Sequence, residues 1–169
     1  MNTAKINYSI FTDGSVNQKT KTGIGCYLIL RTEEISELNQ DEIKGKINHS
    51  YFTDTSSTKL EIQILLTALE CISNQHLSNK LCLNIYTDSQ NIITLPTRRE
   101  KLMQRNFRTG NGERELKNAE LYKHFFDYLD RFNCPFIQVE GHKRTYEKSV
   151  IDLIFTLVDR ESRRLSRGL

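Results

Sequence analysis

The chain has 169 residues, 37% of them hydrophobic and 27% charged, a balance that suits one water-soluble globular domain with its own core. No apolar run reaches the roughly 18 residues that cross a bilayer, and Met1-Asn-Thr-Ala-Lys5 lacks the apolar centre of a secretory leader. These features predict a cytoplasmic monomer without a membrane partner. The net charge of +3 is small but unevenly spread, with Arg98, Arg99, Lys101, Arg105, Arg108, Arg114 and Lys117 in one segment and Arg160, Arg163, Arg164 and Arg167 near the C-terminus. Such clustering points to a polyanionic partner. Cys26, Cys71, Cys82 and Cys134 are far apart and sit in apolar surroundings, as reduced core cysteines do.

Residues 5–12 alternate, with Ile6, Tyr8, Ile10 and Thr12 on one side and Asn7, Ser9 and Phe11 on the other. That period of two predicts a strand, and Asp13-Gly14-Ser15 reads as the turn that ends it. Apolar runs at 25–30 and 47–52 predict two more strands, joined by a polar and partly irregular connection over 31–46. Together the three suggest an antiparallel meander.

Thr53-Asp-Thr-Ser-Ser-Thr58 is rich in capping residues, and Leu60, Ile64, Leu65, Ala68, Leu69 and Ile72 then recur at helical spacing. Glu61 is expected in the first turn of that helix. A fourth strand over 81–88 ends in Thr87-Asp88-Ser89, followed by a short helix over 90–95 that Pro96 stops. A helix over 115–132 carries Ala119, Tyr122, Phe125, Phe126, Leu129 and Phe132 on one face. A last strand over 135–140 leads to Gly141-His142, and a closing helix spans about 150–166. The order β-β-β-α-β-α-α-β-α predicts an α/β sheet with helices on its faces, in one domain over 1–169 with a basic segment at about 98–117.

Two strands that both finish in a carboxylate place Asp13 and Asp88 side by side. Unit charges about 4 Å apart repel by roughly 4 kcal/mol at an effective dielectric near 20, so such a pair calls for a cation. Glu61 and either Asp159 or Asp152 can complete the group. Oxygen donors from several elements, with no histidine or cysteine cluster, favour Mg²⁺ or Mn²⁺ over zinc. Two such ions beside basic surface suit phosphodiester hydrolysis.

Several motifs, in order along nearly the whole chain, resemble those of type 1 ribonuclease H. They are Thr12-Asp13-Gly14-Ser15, Thr58-Lys59-Leu60-Glu61 continuing to Ala68-Leu69-Glu70, Thr87-Asp88-Ser89-Gln90, the helix opening Leu116-Lys-Asn-Ala-Glu-Leu-Tyr122, and Val139-Glu-Gly-His142. The resemblance implies a mixed five-stranded sheet, three antiparallel strands then two parallel, with helices on both faces. It also implies an endonuclease that cuts the RNA strand of RNA–DNA hybrids and leaves 5′-phosphate and 3′-hydroxyl ends. In that scheme Asp13, Glu61, Asp88 and a fourth Asp hold two Mg²⁺ ions, and His142 assists proton transfer or product release. Ser15, Ser57 and Gln90 fall where the family touches hybrid, and Arg98, Arg99, Lys101 and Arg105 form the basic binding segment.

Three departures stand out. Asp152 keeps the family's count from the histidine, whereas Val158-Asp159-Arg-Glu-Ser-Arg-Arg164 better resembles the family's small-Asp-x-x-Ala-Arg helix, which favours Asp159. Ser57-Thr58 stands in place of paired asparagines. The basic segment has no tryptophan, and Phe107 is its expected replacement. A hybrid-binding module without catalysis, or a related DNA nuclease or strand transferase, is the alternative.

Overall fold

A computed structural model describes residues 6–76, 81–140 and 145–169. Five strands, β1 (Asn7–Asn17), β2 (Thr22–Arg31), β3 (Asn48–Phe52), β4 (Cys82–Thr87) and β5 (Phe136–Gln138), form one sheet in the order β3-β2-β1-β4-β5. The first three pair antiparallel, while β4 and β5 join parallel, as the resemblance implied. Six α-helices accompany them among the described residues: α1 (Gln40–Gly45), α2 (Ser57–Gln75), α3 (Gln90–Thr94), α4 (Arg99–Gln104), α5 (Ala119–Arg131) and α6 (Val150–Ser166).

Both faces of the sheet are covered, so β1 is apolar on both sides. Tyr8 and Ile10 join Leu83 and Ile85 of β4 beneath α2 and α5. Phe11, with Cys26, Leu28 and Leu30 of β2, packs under α1 and α6 on the opposite face. Phe11 also stacks on Tyr86 across the parallel pair at 4.8 Å between ring centres.

β1 does not end at Asp13. It runs to Asn17, and Asp13, Gly14 and Ser15 pair with Cys26, Gly25 and Ile24 of β2. What ends near Asp13 is the partnership with β4, whose last paired residues are Phe11 and Tyr86. Gly14 therefore answers to packing and not to a turn. A Cβ there would lie 2.8 Å from Leu60 Cδ2 of α2. The reversal comes later, over 18–21.

Gly25 shows the same constraint more severely, since a Cβ would sit 2.6 Å from Ile64 Cβ. Gly25→Ala is expected to destabilise the fold by about 3 kcal/mol, the upper part of the overpacking range, because strand or helix backbone must shift. Urea unfolding measures this loss. Because α2 carries Glu61, activity should fall with it.

The connection over 31–46 is not wholly irregular, since it contains α1. Asn39 caps that helix, accepting from Asp41 and Glu42 N–H groups, while the Glu42 carboxylate accepts from Asn39 N–H. Pro96 does not simply stop α3; it opens a 3-10 turn over Pro96–Arg98 that leads into α4. Phe107 does not serve as an exposed platform for nucleic acid. It is 9% exposed and packs against Phe126, with centroids 6.3 Å apart. Its left-handed backbone, φ 55°, follows Asn106 at φ 52°. A bulky side chain tolerates that conformation only where packing holds it.

Candidate active site

Asp13, the seventh residue of the eleven in β1, is on the α6 face of the sheet where β4 has fallen away. The Ser162 hydroxyl of α6 donates to Asp13 Oδ2 and also lies 2.9 Å from the Asp159 carbonyl oxygen. One turn further along α6, the Ser166 and Ser15 hydroxyls are 2.8 Å apart. Positions 159, 162 and 166 recur at helical spacing, so a polar stripe of α6 lies along the free half of β1. Ser15 is thus placed against α6, half-buried.

Asp159 is half-buried on that stripe, and its Oδ1 accepts from Arg163 Nε at 2.7 Å. Asp152, two turns earlier on α6, is 6% exposed and completes a capping box. Its Oδ2 accepts from Ser149 N–H and Oγ, each at 2.9 Å. The geometry distinguishes the two acids: Asp159 lies beside Asp13, and Asp152 closes the helix start.

Glu61 stands just past the first turn of α2, not within it. Its Oε2 accepts from Ser89 Oγ at 2.5 Å. Ser89 in turn caps α3, accepting from Ile92 N–H at 3.3 Å. Asp88, one residue beyond β4, is exposed. Sequence reasoning misses the serines at 89 and 162 as site residues. Their signals are faint: Ser89 stands only as part of the Thr-Asp-Ser motif, and Ser162 as a variant of the family's alanine.

Electrostatics ties the acids together. Burial pushes the Asp13 carboxyl up to about 7, and the charges of Asp159 and Asp88 push the same way. The Ser162 hydroxyl and Arg163 oppose that rise without cancelling it. Glu61 is also raised, by burial first and then by Asp88, against the Ser89 hydrogen bond. Asp88 is therefore felt by both neighbours, and mutual repulsion among the acids adds to the cost of burying them.

All of these donors are oxygens, the chemistry of a hard divalent cation. Among the described residues, however, no three acidic, histidine or cysteine side chains converge closely enough to hold an ion as they stand. Asp13, Glu61 and Asp159 are each engaged with Ser162, Ser89 or Arg163. Each of those bonds takes one oxygen of its carboxylate and leaves the other, so the donor set fits such an ion chemically with these bonds kept. His142 lies outside the described residues.

The basic segment divides. Arg99 forks onto Asp130 of α5 at 2.7 and 2.6 Å and lies over the Phe126 ring, so it braces α4 against α5. Arg98, Lys101 and Arg105 are exposed. Gln90 is exposed at the start of α3. Ser57 lines an open groove of about 750 Å³ at the start of α2, together with Lys21, Lys59 and Lys117. No described helix is long and apolar enough to cross a membrane.

A profile of the family described as RNase H matches residues 5–156. The match includes Asp13, Glu61, Asp88 and Asp152 and stops short of Asp159. A protein named ribonuclease H from Caldicellulosiruptor saccharolyticus is 23% identical over 158 residues, covering 91% of this chain and 97% of its own length. The matched profile extends over most of the chain, and the sheet order agrees with it. The chain belongs to the RNase H family of enzymes.

Proposed function

We propose that this protein is a divalent-cation-dependent endonuclease that hydrolyses the RNA strand of RNA–DNA hybrids, leaving 5′-phosphate and 3′-hydroxyl ends. The observation that carries the reading is that the Ser162 hydroxyl joins Asp13 of β1 to the α6 turn of Asp159, while the charge of Asp88 reaches both Asp13 and Glu61. A module that only bound hybrid would gain nothing from aiming such charges at a polyanion, which argues against the non-catalytic alternative.

Asp13, Glu61, Asp88 and Asp159 would hold two Mg²⁺ ions, with Mn²⁺ able to replace them. Bound there, the cations supply charge neutralisation at the scissile phosphate and activation of the attacking water. The chain's own residues do the rest. Ser89 steadies the Glu61 carboxylate, and Arg163 steadies Asp159. The lysines at the start of α2 and the exposed Arg98, Lys101 and Arg105 bind the sugar–phosphate backbones. Ser57 and Gln90 contact the hybrid from the groove and from the start of α3, and His142 assists proton transfer or product release. Discrimination rests on the 2′-hydroxyl and the groove shape of the hybrid. The protein acts as a cytoplasmic monomer.

The test is incubation with end-labelled hybrid, duplex RNA and duplex DNA, with and without Mg²⁺. Cation-dependent cutting of the RNA strand of the hybrid alone is expected. Binding without cutting, or cutting of duplex DNA, would refute the reading.

The basic segment gives a separate expectation. Replacing Arg98, Lys101 and Arg105 by alanine should reduce the slope of log affinity against log salt by roughly 2 to 3, near one for each phosphate no longer neutralised. Arg99→Ala should instead lower the melting temperature, because Arg99 is already held by Asp130. An unchanged slope in the triple variant would assign those three side chains to ordinary surface.

A further inference from the structure

We infer that Ser162 is a positioning residue for Asp13, fixing its carboxylate against the turn of α6 that carries Asp159; the inference rests on the proposed cation site. Ser162 is fully buried, on the stripe of α6 that lies along the free half of β1. Its one hydroxyl touches two groups, the side chain of Asp13 and the backbone carbonyl of Asp159. It therefore ties the strand that carries one acid to the helical turn that carries another.

A carboxylate has two oxygens. With Oδ2 held by Ser162, rotation of the Asp13 side chain is restricted and Oδ1 is the oxygen left for a cation. Outer-shell hydrogen bonds of this kind fix the orientation of ligating groups, and removing them commonly weakens metal affinity by about tenfold or more. Ser166 and Ser15 repeat the contact one turn on, so the registration of α6 against β1 does not depend on Ser162 alone. This separates the two roles: loss of the Ser162 hydroxyl should free the Asp13 side chain while leaving the helix in place.

Alanine is sterically allowed at 162, since it only removes one oxygen, and it is the residue of the family pattern that this stretch resembles. The chain thus carries a hydroxyl where the pattern has none, facing the acid at the centre of the site. Threonine keeps the hydroxyl and adds a methyl group.

The test is titration of Mn²⁺ into the metal-free full-length protein by calorimetry, for wild type, Ser162→Ala and Ser162→Thr, with melting temperatures measured alongside. Ser162→Ala is expected to bind Mn²⁺ about tenfold more weakly while melting within a few degrees of wild type. Ser162→Thr is expected to recover most of the affinity. Should Ser162→Thr fold poorly, the alanine variant is read with Ser166→Ala as control, which loosens the same seam and should keep wild-type affinity. Wild-type Mn²⁺ affinity in Ser162→Ala, or equal losses in Ser162→Ala and Ser166→Ala, would overturn the inference. Absence of Mn²⁺ binding in wild type would overturn the cation site itself, and this inference with it.

Discussion

Asp13→Asn is expected to cut hybrid cleavage by at least about a thousandfold, roughly 4 kcal/mol of transition-state stabilisation, and to leave the protein folded. The asparagine has almost the same shape, still accepts from Ser162, and lacks only the charge. The same change should make the metal-free protein more stable. Burial raises the Asp13 carboxyl from 3.8 to about 7 in the folded chain. Between those values the folded state holds a proton that the unfolded state has released. This group's contribution to stability is therefore fully present below about pH 4 and is lost as pH rises towards 7. Asparagine does not titrate, so Asp13→Asn should exceed wild type by on the order of a few kcal/mol at about pH 8 without divalent cation. The advantage should vanish near about pH 4. Urea unfolding at both pH values measures it. A destabilised Asp13→Asn at the higher pH would mean that the carboxylate is adequately compensated without a cation.

Asp159→Asn and Asp152→Ala should have opposite signatures. Asp159 sits beside Asp13 with Arg163 as its partner, so its loss should reduce cleavage by about a hundredfold or more, in line with removal of a cation ligand. Stability should change little, since an exposed ion pair one helical turn apart contributes only some tenths of a kcal/mol. Asp152 holds the start of α6 through Ser149. Asp152→Ala should therefore cost about 1 kcal/mol of stability and leave most cleavage intact. Rates and melting temperatures of the two variants, measured together, decide the matter. A greater loss of cleavage in Asp152→Ala would move the fourth ligand to the helix start.

The residues that are legible in the sequence are those whose pattern matches a single local cause. Alternation in β1 and helical spacing in α2, α5 and α6 each reflect one buried face or two; the antiparallel meander follows from the succession of strands, and the parallel placing of β4 and β5 comes from the family resemblance. Asp13, Glu61 and Asp88 stand out in the sequence because each belongs to a short motif, although only Asp88 adjoins the end of its element. Where two causes compete for one residue, local pattern misleads. Gly14 reads as turn chemistry, yet the close approach of Leu60 requires a residue without Cβ in a continuing strand. Phe107 looks like a surface aromatic among arginines, yet packing on Phe126 draws it inward. Arg99 looks like its basic neighbours until Asp130, 31 residues away, comes beside it. The short helix α1 is hidden in a polar stretch although Asn39 and Glu42 spell its capping box. Ser162 illustrates the limit most clearly. Nothing local marks a serine three residues after an aspartate, and only the folded chain brings it to Asp13, 149 positions away.

The most direct measurement is anomalous diffraction from crystals of the protein soaked in Mn²⁺. Manganese should be found in contact with Asp13 and with at least two of Glu61, Asp88 and Asp159. Manganese absent from Asp13, or held by acids outside this set, would contradict the assignment.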